Sequence, residues 1–295
     1  MTSHEVAAAD GTRLHYSVTG DGPVDFLLCD GLGCDGFIWR YLRPELAHRG
    51  RVIHLHMRGH GKSGAPPSDG PIEMATLADD WIPVLDAEKG RPAIVLGHSM
   101  GVQVALELWH RHPERVAGLV LICGSYENPT ATFHEGRGLE RALPLMERAT
   151  RVGGTFLKRA WRRLVALPVA WHVARVGEIH PDLMRRRDFQ AYIDHLSQMD
   201  PDVFVRTLRG AAAHSAGPWL EEIDVPVLII GGALDTFTPG RLSEEMRARI
   251  PGARALVVDE GTHTVPLEHP TLVNLEVKRF AEEVTRSEPA VAVAG

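Results

Sequence analysis

A chain of 295 residues with 44% hydrophobic and 24% charged residues has an ordinary water-soluble composition, enough for one large domain or two small ones around a sizeable core. Its formal net charge of −6 argues against a general nucleic-acid surface, and no apolar run approaches the length needed to cross a bilayer. Met1-Thr2-Ser3-His4-Glu5-Val6 has neither the basic nor the apolar region of a secretory signal, so a cytoplasmic location is expected.

Residues 6–18 carry Asp10-Gly11 between two alternating stretches, which predicts an antiparallel hairpin closed by a primed turn. Residues 25–29 read as a buried strand that runs into Asp30-Gly31-Leu32-Gly33-Cys34-Asp35-Gly36, followed by a helical stretch over 38–48. Further strands are predicted at 52–55, 93–96 and 119–122, with a helix over 102–109 that His112-Pro113 brings to an end. Short apolar runs separated by helices predict a largely parallel sheet buried on both faces.

From about residue 128 to 218 the alternation gives way to helical periodicity with basic runs, Lys158-Arg159, Arg162-Arg163 and Arg185-Arg186-Arg187. This stretch is expected to be an inserted helical cap. Strands return at 225–230 and 256–258, followed by an amphipathic helix over 272–284. The expected organisation is therefore a core of residues 1–127 and 219–287, a cap of 128–218, and a disordered tail of 288–295.

Three cysteines are an odd number; Cys29 and Cys123 fall inside apolar runs and are expected to be reduced and buried. Cys34 lies in the glycine-rich loop, where no neighbouring motif supplies the histidine that a cysteine nucleophile requires.

The stretch that carries chemistry is Gly97-His98-Ser99-Met100-Gly101, which interrupts an apolar run and opens a helical pattern. It reads as strand, sharp turn, helix. Such a turn lifts Ser99 clear of the sheet and sets it at a helix N-terminus, where free N–H groups and the positive dipole end favour developing negative charge. A serine hydroxyl needs a general base, and the base needs an orienting carboxylate. Asp235, just past the strand at 225–230, and His263, just past the last strand, stand in the order Ser, acid, His.

Each has competitors. Asp224 precedes its strand and so faces the wrong end, whereas Asp259 and Glu260 are expected to brace the loop of His263. His269, before Pro270, reads as a helix start. His54 and His56 share a strand face without a third metal ligand nearby, and are expected to pack; His98 is expected to orient the turn. Gly61-Lys62-Ser63 copies the end of a phosphate-binding loop, but His56 stands where its first glycine belongs and Pro66-Pro67 replaces its helix. Gly31, Gly33 and Gly36 form a dinucleotide-like spacing without the acidic residue at the end of the next strand, which reads His54-Leu55-His56.

With Arg58-Gly59-His60-Gly61-Lys62-Ser63, Gly97-His98-Ser99-Met100-Gly101, Gly232-x-x-Asp235 and Gly261-Thr262-His263 in this order, the chain resembles the serine α/β-hydrolase family of esterases, lactonases and cofactor-free perhydrolases. The resemblance covers nearly all of the chain outside the cap. It implies an α/β-hydrolase fold with a mostly parallel central sheet, an antiparallel N-terminal hairpin, flanking helices and an inserted helical cap, working without cofactor or metal. It also implies an oxyanion hole from the backbone N–H groups of Leu32 and Met100, donors worth roughly 2.7 to 4 kcal/mol each. The family usually has His-Gly where this chain has Asp30-Gly31, and a carboxylate aimed at the oxyanion would oppose catalysis, so Asp30 is expected to point away into a hydrogen-bond network.

The expected function is hydrolysis of a small or medium apolar carboxylic ester through an acyl-enzyme on Ser99, on a small-molecule substrate. Lactone, thioester or carbon–carbon bond hydrolysis would use the same residues, and a non-catalytic ligand-binding homologue is the alternative of a different class. In the cap, Phe156, Trp161, Leu164 and Val165 alternate with Lys158, Arg159, Arg162 and Arg163. The sequence supports two placements for this helix: an apolar face packed over the site with the basic face solvated, or weak peripheral contact with an anionic membrane.

Overall fold

The computed structural model describes residues 1–67, 72–132, 138–167, 179–180 and 182–287; the expected tail at 288–295 lies outside them. Among the described residues, β1 (Thr2–Ala7), β2 (Arg13–Thr19), β3 (Val24–Cys29), β4 (Gly50–Leu55), β5 (Ala93–His98), β6 (Val116–Ile122), β7 (Val227–Gly232) and β8 (Arg254–Val258) form one sheet of order β1-β2-β4-β3-β5-β6-β7-β8. The pairings β1 with β2 and β2 with β4 are antiparallel, and the rest are parallel. In β3, Phe26 and Leu28 face one buried cluster while Leu27 and Cys29 face the other, the period-two division of a strand covered on both sides.

One cluster is closed by α2 (Met74–Asp79), α3 (Trp81–Ala87), α4 (Met100–Arg111) and α8 (Gly240–Arg249), and the other by α1 (Leu42–Ala47) and α10 (Pro270–Ser287). The chain leaves β3 towards β4 on one side and crosses to β5 on the other. This reversal opens a crevice at the carboxyl ends of β3 and β5.

The hairpin differs from the expected two-residue primed turn. Ala7 pairs with Arg13, Gly11 N donates to Ala8 O (2.9 Å), and Gly11 alone takes positive φ (84°). A primed turn of type I′ would need positive φ at Asp10 as well; instead Asp10 uses its carboxylate to accept from Thr12 N (2.9 Å), which closes a longer loop.

Between β6 and β7 the described residues are helical: α5 (Gly138–Val165), broken at Gly154 (φ 45°, ψ −136°), α6 (Arg186–Gln198) and α7 (Pro201–Ala213). They lie over the carboxyl edge of the sheet on unequal terms. In α7, Gly210 packs so close that a Cβ would sit 1.9 Å from Ile72 O, and Gln103 Nε2 donates to Ala211 O (3.0 Å). Asp188 of α6 accepts from Tyr41 Oη (2.7 Å) and pairs with Arg40 (3.0 Å).

In α5 only Leu143 is fully buried. Trp161 turns inward, its Nε1 donating to Leu196 O (2.8 Å), and Val165 lies beside it, but Phe156 is 79% and Leu164 63% exposed. At about 100° per residue Val165 falls about 40° from Trp161 and Phe156 about 140° from it, so one neighbour cannot bury both. The expected apolar face over the site is thus divided: Leu164 and Val165 border the cavity and Trp161 packs against its wall, while Phe156 faces water.

Candidate active site

The turn after β5 holds Ser99 at φ 57° and ψ −123°, a conformation that a side-chain-bearing residue adopts only when its surroundings enforce it. Those surroundings are backbone. A Cβ on Gly97 would lie 2.3 Å from Gly101 O, and one on Gly101 would lie 2.0 Å from Cys29 O on the adjacent strand. Ser99 N donates to Ile122 O (3.0 Å) on the other neighbouring strand, so the turn is pinned from both sides.

Asp235, His263 and Ser99 are brought together from three loops. His263 Nε2 accepts from Ser99 Oγ at 2.9 Å, and its Nδ1 donates to Asp235 Oδ2 at 2.9 Å. Asp235 is buried and accepts further bonds from Phe237 N (2.8 Å), Thr238 N (2.9 Å) and Thr238 Oγ1 (2.8 Å). A carboxylate so saturated with donors has one fixed orientation, and the imidazole opposite it one tautomer. Asp224 is exposed at the opposite end of its strand.

The loop of His263 is braced differently from the sequence expectation: Asp259 and Glu260 are exposed. Its anchor is Glu268, on α9 (Val265–Glu268), buried and accepting from Thr262 N (2.8 Å), Thr262 Oγ1 (2.5 Å), Thr264 Oγ1 (2.7 Å) and His180 N (2.8 Å). One turn of helix brings this carboxylate back onto the loop. The two threonines flanking His263, four to six residues before a glutamate, were the available signal. His98 contributes from the elbow, its Nε2 donating to His263 O (2.9 Å). Burial, and then the charge of His263, push His98 down to about 3, so it stays neutral.

The loop after β3 is held at both ends. Asp30 is turned away from Ser99 and accepts from Gly36 N (2.9 Å), Trp39 Nε1 (2.7 Å) and His54 Nε2 (2.7 Å). His54 and His56 are thus more than packing residues: the second pairs with Asp35 at 2.6 Å. His60 donates from Nδ1 to Arg58 O (3.1 Å) and accepts on Nε2 from Gly33 N (3.2 Å), one residue beyond Leu32. Burial pushes it down to about 4. The sequence placed His60 in a motif without assigning it this anchoring contact.

Leu32 and Met100 line the same cavity as Ser99 and His263, a space of about 470 Å³ whose other walls are largely apolar, Phe37, Tyr192, Phe204 and Phe237 among them. Met100 N is the first amide of α4, where no intrahelical acceptor exists. Cys34 also borders this cavity, but its thiol is raised well above the ordinary value by burial and then by the charge of Asp30. All three cysteines are free and buried.

The sequence pattern of the family described as the alpha/beta hydrolase fold matches residues 26–270. The chain is 32% identical over 243 residues to a pimeloyl-[acyl-carrier protein] methyl ester esterase of Neisseria meningitidis, covering 82% of this chain and 86% of that protein. Among solved structures, an esterase from a Rhodococcus species is similar at 26% identity with a TM-score of 0.75, covering 96% of this chain and all of that one (100%). An enol-lactonase from Burkholderia xenovorans shares the fold at 24% identity with a TM-score of 0.78, covering 95% of this chain and 100% of that one.

Proposed function

The chain belongs to the α/β-hydrolase family, and within it we propose a serine carboxylic-ester hydrolase acting on a small or medium ester with an apolar acyl group. The observation that carries this reading is the continuous 2.9 Å contacts from Ser99 through His263 to the buried Asp235, opening on an apolar cavity. Ser99 Oγ attacks the ester carbonyl carbon while His263 Nε2 takes its proton. Asp235 stabilises the imidazolium, and the N–H groups of Leu32 and Met100 receive the oxyanion. The intermediate collapses, His263 protonates the departing alcohol, and the acyl group remains on Ser99. A water molecule then attacks, giving its proton to His263, and the carboxylic acid leaves as Ser99 regains its own.

A cavity of about 470 Å³ lies in the range typical of small-molecule sites. The described residues of the stretch 128–218 act in this reading as the cap that walls it. Among the relatives the chain resembles, the N. meningitidis protein is named as an esterase of a pimeloyl-[acyl-carrier protein] methyl ester, an activity that fits this reading. A lactone, thioester or carbon–carbon bond would be handled by the same groups. Reaction with a fluorophosphonate probe and turnover of p-nitrophenyl esters of increasing chain length, set against matched thioesters and lactones, test the assignment. Folded protein that neither forms an adduct on Ser99 nor turns over any member would leave a ligand-binding homologue instead.

A further inference from the structure

We propose that the outer face of α5 (Gly138–Val165), with Leu167 just beyond it, is a docking surface for an anionic lipid bilayer, placed so that the active-site cavity opens onto the membrane. Five large apolar side chains of this segment stand in water: Val152 at 80% exposure, Phe156 at 79%, Leu145 at 71%, Leu164 at 63% and Leu167 at 44%. They are interleaved with cations. Residues 138–167 hold Arg141, Arg148, Arg151, Lys158, Arg159, Arg162 and Arg163 against Glu140 and Glu147, in a chain whose formal net charge is −6.

The helix gathers them separately on either side of the break at Gly154: seven residues bring Leu145 and Val152 to within about 20° of each other, and beyond the break Phe156 and Leu164 stand about 80° apart. Arg148 falls beside the first pair, and Arg159 and Arg163 beside Phe156. Lys158 is paired with Asp200 (2.5 Å), but Arg148, Arg159, Arg162 and Arg163 have no carboxylate within ion-pair distance among the described residues.

Charge selects an anionic partner, and the apolar chains select a lipid one. An acidic protein would satisfy the arginines alone, whereas Phe156, Val152 and Leu145 need a neighbour that is not water. The interface of an anionic bilayer offers phosphates for the arginines and hydrocarbon for the side chains between them. Leu164 joins this surface to the cavity, being 63% exposed and also one of the cavity's wall residues. An ester dissolved in the bilayer could thus pass its acyl chain towards Ser99 without crossing bulk water, a consequence that rests on the proposed esterase activity, while the docking itself does not.

Sedimentation of the full chain with vesicles tests this directly. With equimolar phosphatidylglycerol and phosphatidylcholine the protein pellets and is released by high salt; with phosphatidylcholine alone most stays in solution. Each arginine near the surface contributes roughly fivefold, so Arg159→Glu/Arg163→Glu, which removes two of them, lowers partitioning by at least about 25-fold. Val152→Ser/Phe156→Ser lowers it roughly tenfold. Both variants keep the parental rate on a short water-soluble p-nitrophenyl ester, which shows that they fold. Parental protein that stays in solution with the anionic vesicles overturns the proposal, as does pelleting that neither variant changes. So does retention on immobilised acidic carrier protein without vesicle binding. Ser99→Ala pellets like the parent, so loss of the esterase reading and loss of the docking surface are read separately.

Discussion

The floor of the cavity and its outermost wall are built on opposite terms. On the floor, every group near Ser99 is fixed by buried backbone or carboxylate contacts: the elbow between Cys29 O and Ile122 O, Asp235 under three further hydrogen bonds, and His263 on a loop tied to Glu268. In the wall, α5 buries one side chain completely and leaves Val152, Phe156 and Leu164 in water. Reaction geometry demands placement within a fraction of an ångström, whereas a surface that meets partners needs only the right kind of side chain facing outwards. The floor is where substitutions should abolish turnover, and the wall is where they should tune it.

The largest effect tests the floor itself. Ser99→Ala should lower kcat by roughly 10⁶-fold and Asp235→Asn by roughly 10⁴-fold, with the thermal midpoint little changed. Active-site titration alongside calorimetry checks this. Turnover within tenfold of the parent in Ser99→Ala would place the chemistry elsewhere.

Next comes the brace that sequence reasoning assigned to the wrong carboxylates. Glu268 accepts from four donors, which an ionised carboxylate can satisfy and an amide cannot. Glu268→Gln turns an NH₂ group towards at least one of them and should cost about 3 kcal/mol of stability, with kcat lowered because the loop of His263 loosens. A urea titration and the kcat of the same preparation measure both. An unchanged midpoint would remove Glu268 from the floor.

The sheet was legible because buried strands and α/β alternation leave a pattern in a single sequence: 25–29, 52–55, 93–96 and 119–122 all fall inside observed strands. The residues that now surround the cavity floor were legible because turn chemistry forces their types. Gly97 and Gly101 cannot carry a Cβ, and Asp235 and His263 follow strands. His60 was not legible in this role, since it holds backbone groups reached through the fold, whereas Glu268 left only the local pattern of Thr262 and Thr264 four to six residues before it. The placement of α5 was not legible either: periodicity states that a helix has apolar residues, but Phe156 and Trp161 leave in opposite directions and only the packing decides which is covered.

Acid should separate the two regions by a smaller margin. Burial pushes His60 down to about 4 and His98 down to about 3, so both are harder to protonate folded than unfolded. Between the ordinary value of 6.5 and these folded values the unfolded chain binds more protons. Their contribution to stability is therefore complete above pH 6.5 and lost as pH falls towards 4 for His60 and 3 for His98. Each amounts to on the order of 2 kcal/mol between pH 6.5 and about pH 5. Burial raises the Asp35 carboxyl, but its hydrogen bond and charge interaction with His56 outweigh this and hold it at about 2, so its share is lost only below 3.8. The thermal midpoint should fall over the histidine window, and His60→Gln should flatten the fall. Protonating His60 also removes the acceptor for Gly33 N, so turnover should drop with stability.

The smallest effect belongs where wall meets floor. Trp161, in the second half of α5, reaches inward, its Nε1 donating to Leu196 O (2.8 Å) and its ring lying 5.3 Å from that of Phe204 in the cavity wall. Trp161→Phe keeps an aromatic ring and removes the donor, at a cost of about 1 kcal/mol. Because no bond of the floor passes through Trp161, kcat on a short ester should stay within about twofold, while KM for longer acyl chains, which must touch Phe204 and Leu196, should rise severalfold. A loss of kcat equal for short and long esters would mean that the wall sets the geometry of Ser99 and that the two regions are mechanically one.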